Sequence, residues 1–408
     1  MLKKYSSLFI LLYSIFLLIL FSTSCNQSSS NANISNNTVT SPLSHPILVG
    51  AERFSEYLPL LQNKKVALVV NQSSLVKNVH LVDTLLALNV DILKIMAPEH
   101  GFRGNKDAGE LFDNETDTKT GIPIIALYGN NKKPTAEQLA DIDIVIFDIQ
   151  DVGVRFFTYI STMHLVMEAC AENNKTCIIL DRPNPLGDYI DGTILELPFQ
   201  SFVGMHPIPI VHGLTVGELA LMINGEGWLK DSLKCNLKII SVENYTHATI
   251  YSLPVKPSPN LTNYLSIRLY PSLCFFEATK VSIGRGTEFP FQVIGYPDST
   301  FGNFTFTPRD MEGMQTNPVQ EGKLCYGIDL RQEPDSIKFT LKYFLQFYNR
   351  STFKNNFISN EQWFNLLAGN NKLLQQIKSG MSEEEIKKSW EADLEKYKTM
   401  RKKYLLYQ

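Results

Sequence analysis

The sequence predicts an α/β fold: a Rossmann-like, doubly wound and mostly parallel sheet, joined to a smaller C-terminal α+β domain. Two observations carry that expectation. Between Lys64 and Asp181, short apolar runs rich in Val and Ile alternate with segments whose apolar residues recur at helical spacing. This is the pattern of parallel strands buried on both faces by crossover helices. In addition, each run ends in a cluster of Asn, Asp, Gly, Pro and ionisable residues. In open α/β sheets, ligands bind beyond the carboxyl ends of the strands.

In chain order, Lys3 and Lys4 precede an apolar stretch from Leu8 to Phe21, then Ser22-Thr23-Ser24-Cys25. A charged start, a short apolar core and small residues before a cleavage point define a signal peptide over 1–24. The final four residues resemble a lipobox, which makes Cys25 the expected lipidated first residue of an exported, membrane-anchored lipoprotein. Residues 25–46 are Ser/Asn-rich and read as a flexible tether. The tether lacks an acidic surface-export cluster, which points the protein toward the periplasm. A Rossmann-like domain is expected over 47–235, with a C-terminal domain over 236–408 completing a cleft.

Within the first domain, "KKVALVV" (64–70), "DILKIM" (91–96), "IPIIALY" (122–128), "DIVIFDI" (143–149) and "TCIILD" (176–181) read as strands. Residues 78–89, 134–141 and 158–173 read as the helices between them, the second with Pro134 at its start. After the strands come "NQSS", "PEHGFRG", "YGN", "DIQDVGVRF" and "DRPNPLG". Turn chemistry explains one or two such clusters. It does not explain Glu99, Arg103, Gln150, Arg155 and Arg182 converging on one rim, so a site is expected there. No GxGxxG follows the first strand and no GxxxxGK[ST] occurs, so nothing calls for a nucleotide.

The opposite wall is expected from residues 191–297. Thr215 and Glu218 form a T-x-x-E capping box for "VGELALMIN", so Glu218 has a structural explanation as good as a catalytic one. His206 and His212 sit in Pro/Gly-rich loops, and "KPSPNL" and "YPS" are rigid enough to shape a pocket wall. In Gly284-Arg285-Gly286-Thr287 the glycines let backbone approach a ligand while Arg285 can pair with an anion. Toward the C-terminus, "CYGIDLR" reads as a strand and "SIKFTLKYFLQFYNR" as a helix. Residues 382–407 form a helix capped by Ser382 and Glu385, whose stripe Ile386, Trp390, Tyr397, Met400 and Tyr404 is a packing face.

A net charge of −3 with no basic stripe gives no footprint for nucleic acid. Beyond Cys25, five cysteines without CxxC spacing make a zinc site built on them a poor reading. No cofactor is called for. A divalent ion gathered by Glu99, His100, Asp148, Asp151 and Asp181 stays as an alternative without a supporting spacing motif. A serine esterase lacks its GxSxG.

The motifs "PEHGFRG", "ALYG", "FDIQDVGVRFFTYI", "LDRPNPLG", "SFVGMHPIPIVHGLTVGELA", "PSPNL" and "GRGTEFPF" occur in one order between about Val66 and Pro297. With them, the chain resembles the NamZ-type exo-β-N-acetylmuramidases, glycoside hydrolase family 171. Phe157 stands where a Tyr is expected. The resemblance implies a Rossmann-like domain plus a smaller C-terminal domain with the site between them. It implies hydrolysis that frees N-acetylmuramic acid from the non-reducing end of peptidoglycan fragments, as in cell-wall recycling.

Glycoside hydrolysis needs an acid for the leaving oxygen and, in most cases, a second carboxylate as base or nucleophile. Glu99 is the expected acid, by its position after the second strand and by the family motif. Asp148, Asp151, Asp181 and Glu218 are candidates for the second group, with Asp151 foremost. The substrate's own 2-acetamido group, or Tyr159, are alternatives. His100 and Arg103 are expected to bind the sugar or tune Glu99. Arg155, Arg182 and Arg285 are candidates to grip the lactyl carboxylate that distinguishes N-acetylmuramic acid from N-acetylglucosamine. Gln150, Asn184 and His212, with Asp148 and Glu218 in a binding role, complete the substrate-binding set. A muropeptide-capturing lipoprotein without catalysis is the other reading, separable by turnover.

Overall fold

The computed structural model describes residues 45–103 and 113–408. The expected signal peptide, Cys25 and the tether up to residue 44 lie outside the described residues. The described strands are β1 Lys65–Val70, β2 Leu75–Val76, β3 Val79–His80, β4 Asp91–Ala97, β5 Glu115–Thr116, β6 Pro123–Ala126, β7 Ile144–Asp148, β8 Thr176–Leu180 and β9 Asn236–Ile240. Three more follow: β10 Val293–Tyr296, β11 Phe304–Phe306 and β12 Cys325–Asp329.

A seven-stranded sheet runs in the order β5-β6-β4-β1-β7-β8-β9. All its pairings are parallel except that of the short edge strand β5 with β6. The chain leaves β1 toward β4 and β6, then returns to β7 on the other side of β1. The strand order therefore reverses at β1, the position at which doubly wound sheets open a crevice.

Side-chain alternation explains why these strands read as unbroken apolar runs. Ala67 and Val69 of β1 face one core while Val66, Leu68 and Val70 face the other. Val145 and Phe147 of β7 part in the same way from Ile144 and Ile146. The helices Tyr159–Glu172 and Val216–Glu226 cover the first face. That core continues through Phe275, Phe276, Phe344, Phe364, Trp390 and Tyr397, so residues 45–408 form one compact unit. The sheet takes its last parallel strand, β9, after residue 235.

Several elements depart from the sequence reading for local reasons. The helix expected from 78 starts at Leu81, because Val79 and His80 pair with β2 and His80 Nδ1 accepts from Val82 N at 3.2 Å as the N-cap. In the aromatic-rich segment, the helix spans only Lys342–Arg350. Glu383 accepts from Leu341 N at 3.0 Å and fixes the preceding turn. The long C-terminal helix is two, Glu383–Lys388 and Glu391–Arg401. Between them Trp390 is buried, its indole N–H 3.3 Å from Asp191 Oδ1. Tyr270-Pro271-Ser272, read from the sequence as a rigid wall segment, lies inside the helix Tyr264–Leu273.

Candidate active site

β4 ends at Ala97, and the chain turns at once. Gly101 N donates to Pro98 O at 3.0 Å, with His100 and Gly101 both left-handed at φ of 71° and 73°. Left-handed backbone costs little for Gly and is uncommon for His, so tertiary contacts hold this turn. It leaves Glu99 half-buried above the sheet while His100 is buried.

Two hydroxyls from neighbouring strand ends hold the Glu99 carboxylate. Tyr128, after β6, donates to Oε1 at 3.0 Å, and Thr158, after β7, donates to Oε2 at 3.0 Å. Thr158 is also the N-cap of the helix Tyr159–Glu172, yet its side chain caps no backbone N–H. Its hydroxyl is spent on the carboxylate instead. The Tyr159 hydroxyl donates at 3.3 Å to Pro257 O and lies 3.5 Å from Glu99 O. Burial, then the nearby Glu99 charge, pushes both Tyr128 and Tyr159 far up, so both phenols stay protonated donors near neutral pH.

Glu99, His100, Tyr128, Thr158 and Tyr159 line one cavity of about 300 Å³. Its walls include Phe156, Phe157, Phe202, Ser258, Asn260, Tyr270, Phe291 and Trp363. Apolar faces with a few convergent polar groups characterise a small-ligand site. The expected wall segments "KPSPNL" and "YPS" do supply Ser258, Asn260 and Tyr270.

An ion pair also faces this cavity. Arg285 Nη2 donates to Glu277 Oε1 at 2.7 Å, and its Nη1 reaches Gln315 Oε1 at 3.3 Å. The Arg285 side chain is 22% exposed and that of Glu277 23%. Arg285 sits on a turn closed by Thr287 N donating to Gly284 O at 3.1 Å. A Cβ at left-handed Gly286 would lie 2.4 Å from Arg309 O, so only glycine fits there. Glu277, an acid in "CFFEA" between "YPS" and "GRGTEFPF", was not singled out from the sequence.

The other sequence candidates, Arg103 apart, form a buried polar framework beneath the rim. Arg182 grips Asp148 with two bonds, Nε–Oδ1 at 2.6 Å and Nη2–Oδ2 at 2.8 Å, with both side chains at most 2% exposed. Burial pulls Arg182 down, but the Asp148 charge outweighs it and leaves the guanidinium raised. Asp151 Oδ2 accepts from Gly153 N at 2.6 Å and lies 3.8 Å from His212 Nε2. Gln150 donates to the carbonyls of Asp151 and Pro183 at 2.8 and 2.7 Å. Asn184 donates to Leu214 O at 2.8 Å, and His212 Nδ1 accepts from Leu214 N at 3.2 Å.

Asp181 accepts from Thr215, Gly217 and Tyr407 at 2.6–2.8 Å, and burial pushes its carboxyl up to about 6. Glu218 completes the Thr215 capping box and also accepts from Leu406 N at 2.9 Å and His247 at 3.0 Å. Arg155, fully buried, donates to the carbonyls of Thr193, Ile208 and Leu367 at 2.6–2.9 Å. Its burial lowers the guanidinium to about 9. Arg103 turns outward, 44% exposed, onto Asp117 at 2.8 Å.

None of Asp148, Asp151, Asp181, Glu218, Arg155, Arg182, Asn184, Gln150, His212 and Arg103 is among the residues lining the Glu99 cavity. Other side chains and main-chain groups claim these residues instead. His206 is likewise buried, its Nε2 3.0 Å from His164 Nδ1. Among the described residues, no three His, Cys, Asp or Glu side chains group so as to hold a metal ion.

A doubly wound α/β sheet with a carboxyl group clasped by hydroxyls in an aromatic-walled cavity defines a protein with a small-ligand site. The chain belongs to the NamZ family of exo-β-N-acetylmuramidases: the family's N-terminal model matches residues 66–265 and its C-terminal model residues 268–407. It is 37% identical over 387 residues to the peptidoglycan β-N-acetylmuramidase NamZ of Bacillus subtilis strain 168, spanning 86% of this chain and 89% of that protein. Two solved DUF1343 family proteins of Bacteroides fragilis share the fold. One has a TM-score of 0.83 and 46% identity, the other 0.77 and 30%, and each match covers 89% of this chain and 99% of the other.

Proposed function

We propose that this protein is an exo-β-N-acetylmuramidase that frees N-acetylmuramic acid from the non-reducing end of peptidoglycan fragments. The observation that carries this reading is the Glu99 carboxyl, held by Tyr128 and Thr158 at the mouth of an aromatic-walled cavity that also presents a guanidinium. Family membership supports the same reaction.

In this reading Glu99 gives its proton to the glycosidic oxygen as the bond from C1 to that oxygen breaks. The Tyr128 and Thr158 hydroxyls then stabilise the carboxylate left behind, which afterwards takes a proton back from the attacking water. The four carboxylates expected as second groups are engaged in the buried framework. The substrate's 2-acetamido oxygen is therefore our choice to bond to C1 as the leaving oxygen departs. Water then attacks C1, giving its proton to Glu99, and the bond from C1 to the acetamido oxygen breaks to restore the acetamide, an accepted variant of glycosidase chemistry. His100 and Tyr159 hold the sugar against the aromatic wall, and Arg285 takes the lactyl carboxylate, for which a planar guanidinium suits. Export as a lipoprotein through Cys25, facing the periplasm, accords with a cell-wall substrate and belongs to the same proposal.

The test compares chromogenic glycosides of N-acetylmuramic acid and N-acetylglucosamine on the chain from about residue 46 onward, with and without a chelator. Release from the muramic glycoside alone, unaffected by chelation, is expected. Binding of muropeptides without any release would replace this reading with that of a capture protein.

A further inference from the structure

The Glu277–Arg285 pair raises a question the proposed reaction leaves open. A site that must recognise an anion already holds an anion of its own against the recognising guanidinium. The two ends of the cavity are joined by aromatic rings. Phe157 lies 4.9 Å from Tyr159 and 6.1 Å from Tyr270, Tyr270 5.0 Å from Phe291, and Arg285 4.9 Å from the Phe291 ring centre. Glu99 adjoins Tyr159 at one end of this run and Glu277 adjoins Arg285 at the other.

Stacking on Phe291 and the bond to Gln315 fix the guanidinium plane. A guanidinium carries five N–H groups, more than these two acceptors use. A substrate carboxylate can thus share Arg285, but only beside the Glu277 charge, and like charges in so enclosed a space repel.

We infer that Glu277 is a specificity-determining residue that competes with the lactyl carboxylate for Arg285, setting how tightly the site holds N-acetylmuramic acid. When the site is empty, Glu277 balances the guanidinium charge and keeps it oriented. When the sugar acid is bound, Glu277 weakens that hold, so the freed product leaves. The inference rests on the proposed muramidase reading.

The test measures Kd for free N-acetylmuramic acid and free N-acetylglucosamine by calorimetry, alongside kcat and KM on the muramic glycoside. Glu277→Gln keeps the shape and one acceptor oxygen but removes the charge. Its Kd for the sugar acid should fall roughly tenfold, about 1.4 kcal/mol, while that for the neutral sugar moves less than twofold. KM should fall in parallel, and kcat with it as product lingers. Glu277→Asp, which retains the charge, should show no such tightening and guards against a folding artefact.

Weaker or unchanged binding of the sugar acid by Glu277→Gln would overturn the inference. So would a collapse of kcat at unchanged Kd, which would make Glu277 a reacting group. If the wild-type protein binds the sugar acid but never turns over the glycoside, the muramidase reading falls while the Kd comparison still decides the role of Glu277.

Discussion

The hydroxyl of Tyr128 donates to Glu99 across the ends of two adjacent parallel strands, 3.0 Å from Oε1. Neither residue is near the other in sequence, and β4–β6 pairing alone aligns them. Glu99→Gln removes the transferable proton and should lower kcat by roughly 10²–10⁴-fold with Kd for the sugar nearly intact. Tyr128→Phe removes one donor to the carboxylate and should cost a smaller factor, about tenfold. Steady-state kinetics on the muramic glycoside checks both, and equal effects from the two would refute the ordering.

The Asp148–Arg182 pair predicts a stability effect. Both groups are almost wholly buried and bonded at two points. Asp148→Asn leaves the guanidinium without its counter-charge and should cost about 3–5 kcal/mol. Denaturant unfolding measures this, and a loss under 1 kcal/mol would show the pair to be dispensable.

Arg155 braces the cavity from behind. Its three carbonyl bonds tie the 193–208 loop to Leu367, which lines the cavity. Arg155→Met should destabilise by about 2–4 kcal/mol, because buried carbonyls lose their donor. In the folded fraction KM should rise more than kcat falls. A change in kcat alone would contradict this bracing role.

Asp181 predicts a pH dependence. Its folded carboxyl sits at about 6 because of burial, above the ordinary value of 3.8. The folded state therefore binds this proton more tightly than the unfolded state. The stabilisation it gives is complete below about pH 4 and is lost as pH rises through 6, about 3 kcal/mol in all. Asp181→Asn does not titrate, so the stability difference between wild type and variant should decline across that window. A flat difference from pH 4 to 7 would refute the assignment.

Much of this architecture is written locally. Alternating apolar residues such as those of β1 and β7 commit each strand to burial on both faces. The Thr215–Glu218 and Ser382–Glu385 boxes start their helices where the sequence places them. Glu99, His100 and Arg285 were legible too, because unusual turns with Gly beside ionisable groups mark them. The helix start at Leu81 and the break at Trp390 were not: the first depends on the short β2–β3 pairing and the His80 cap, the second on Asp191, distant in sequence.

The sequence by itself determined the doubly wound, mostly parallel class of the sheet and the strand ends at which ionisable turn clusters gather. These follow from periodicity and turn chemistry, which act over a few residues. Only the tertiary structure decided which of the rim's charged groups face the cavity. Asp148, Arg155 and Arg182 carry the same chemistry as Glu99 and Arg285, but buried main-chain and side-chain partners claim them. Conversely Glu277, unmarked in sequence, reaches the cavity because its short helical turn carries it beside Arg285. A polar group's role depends on which partner satisfies it, and that partner is chosen by packing across the whole chain.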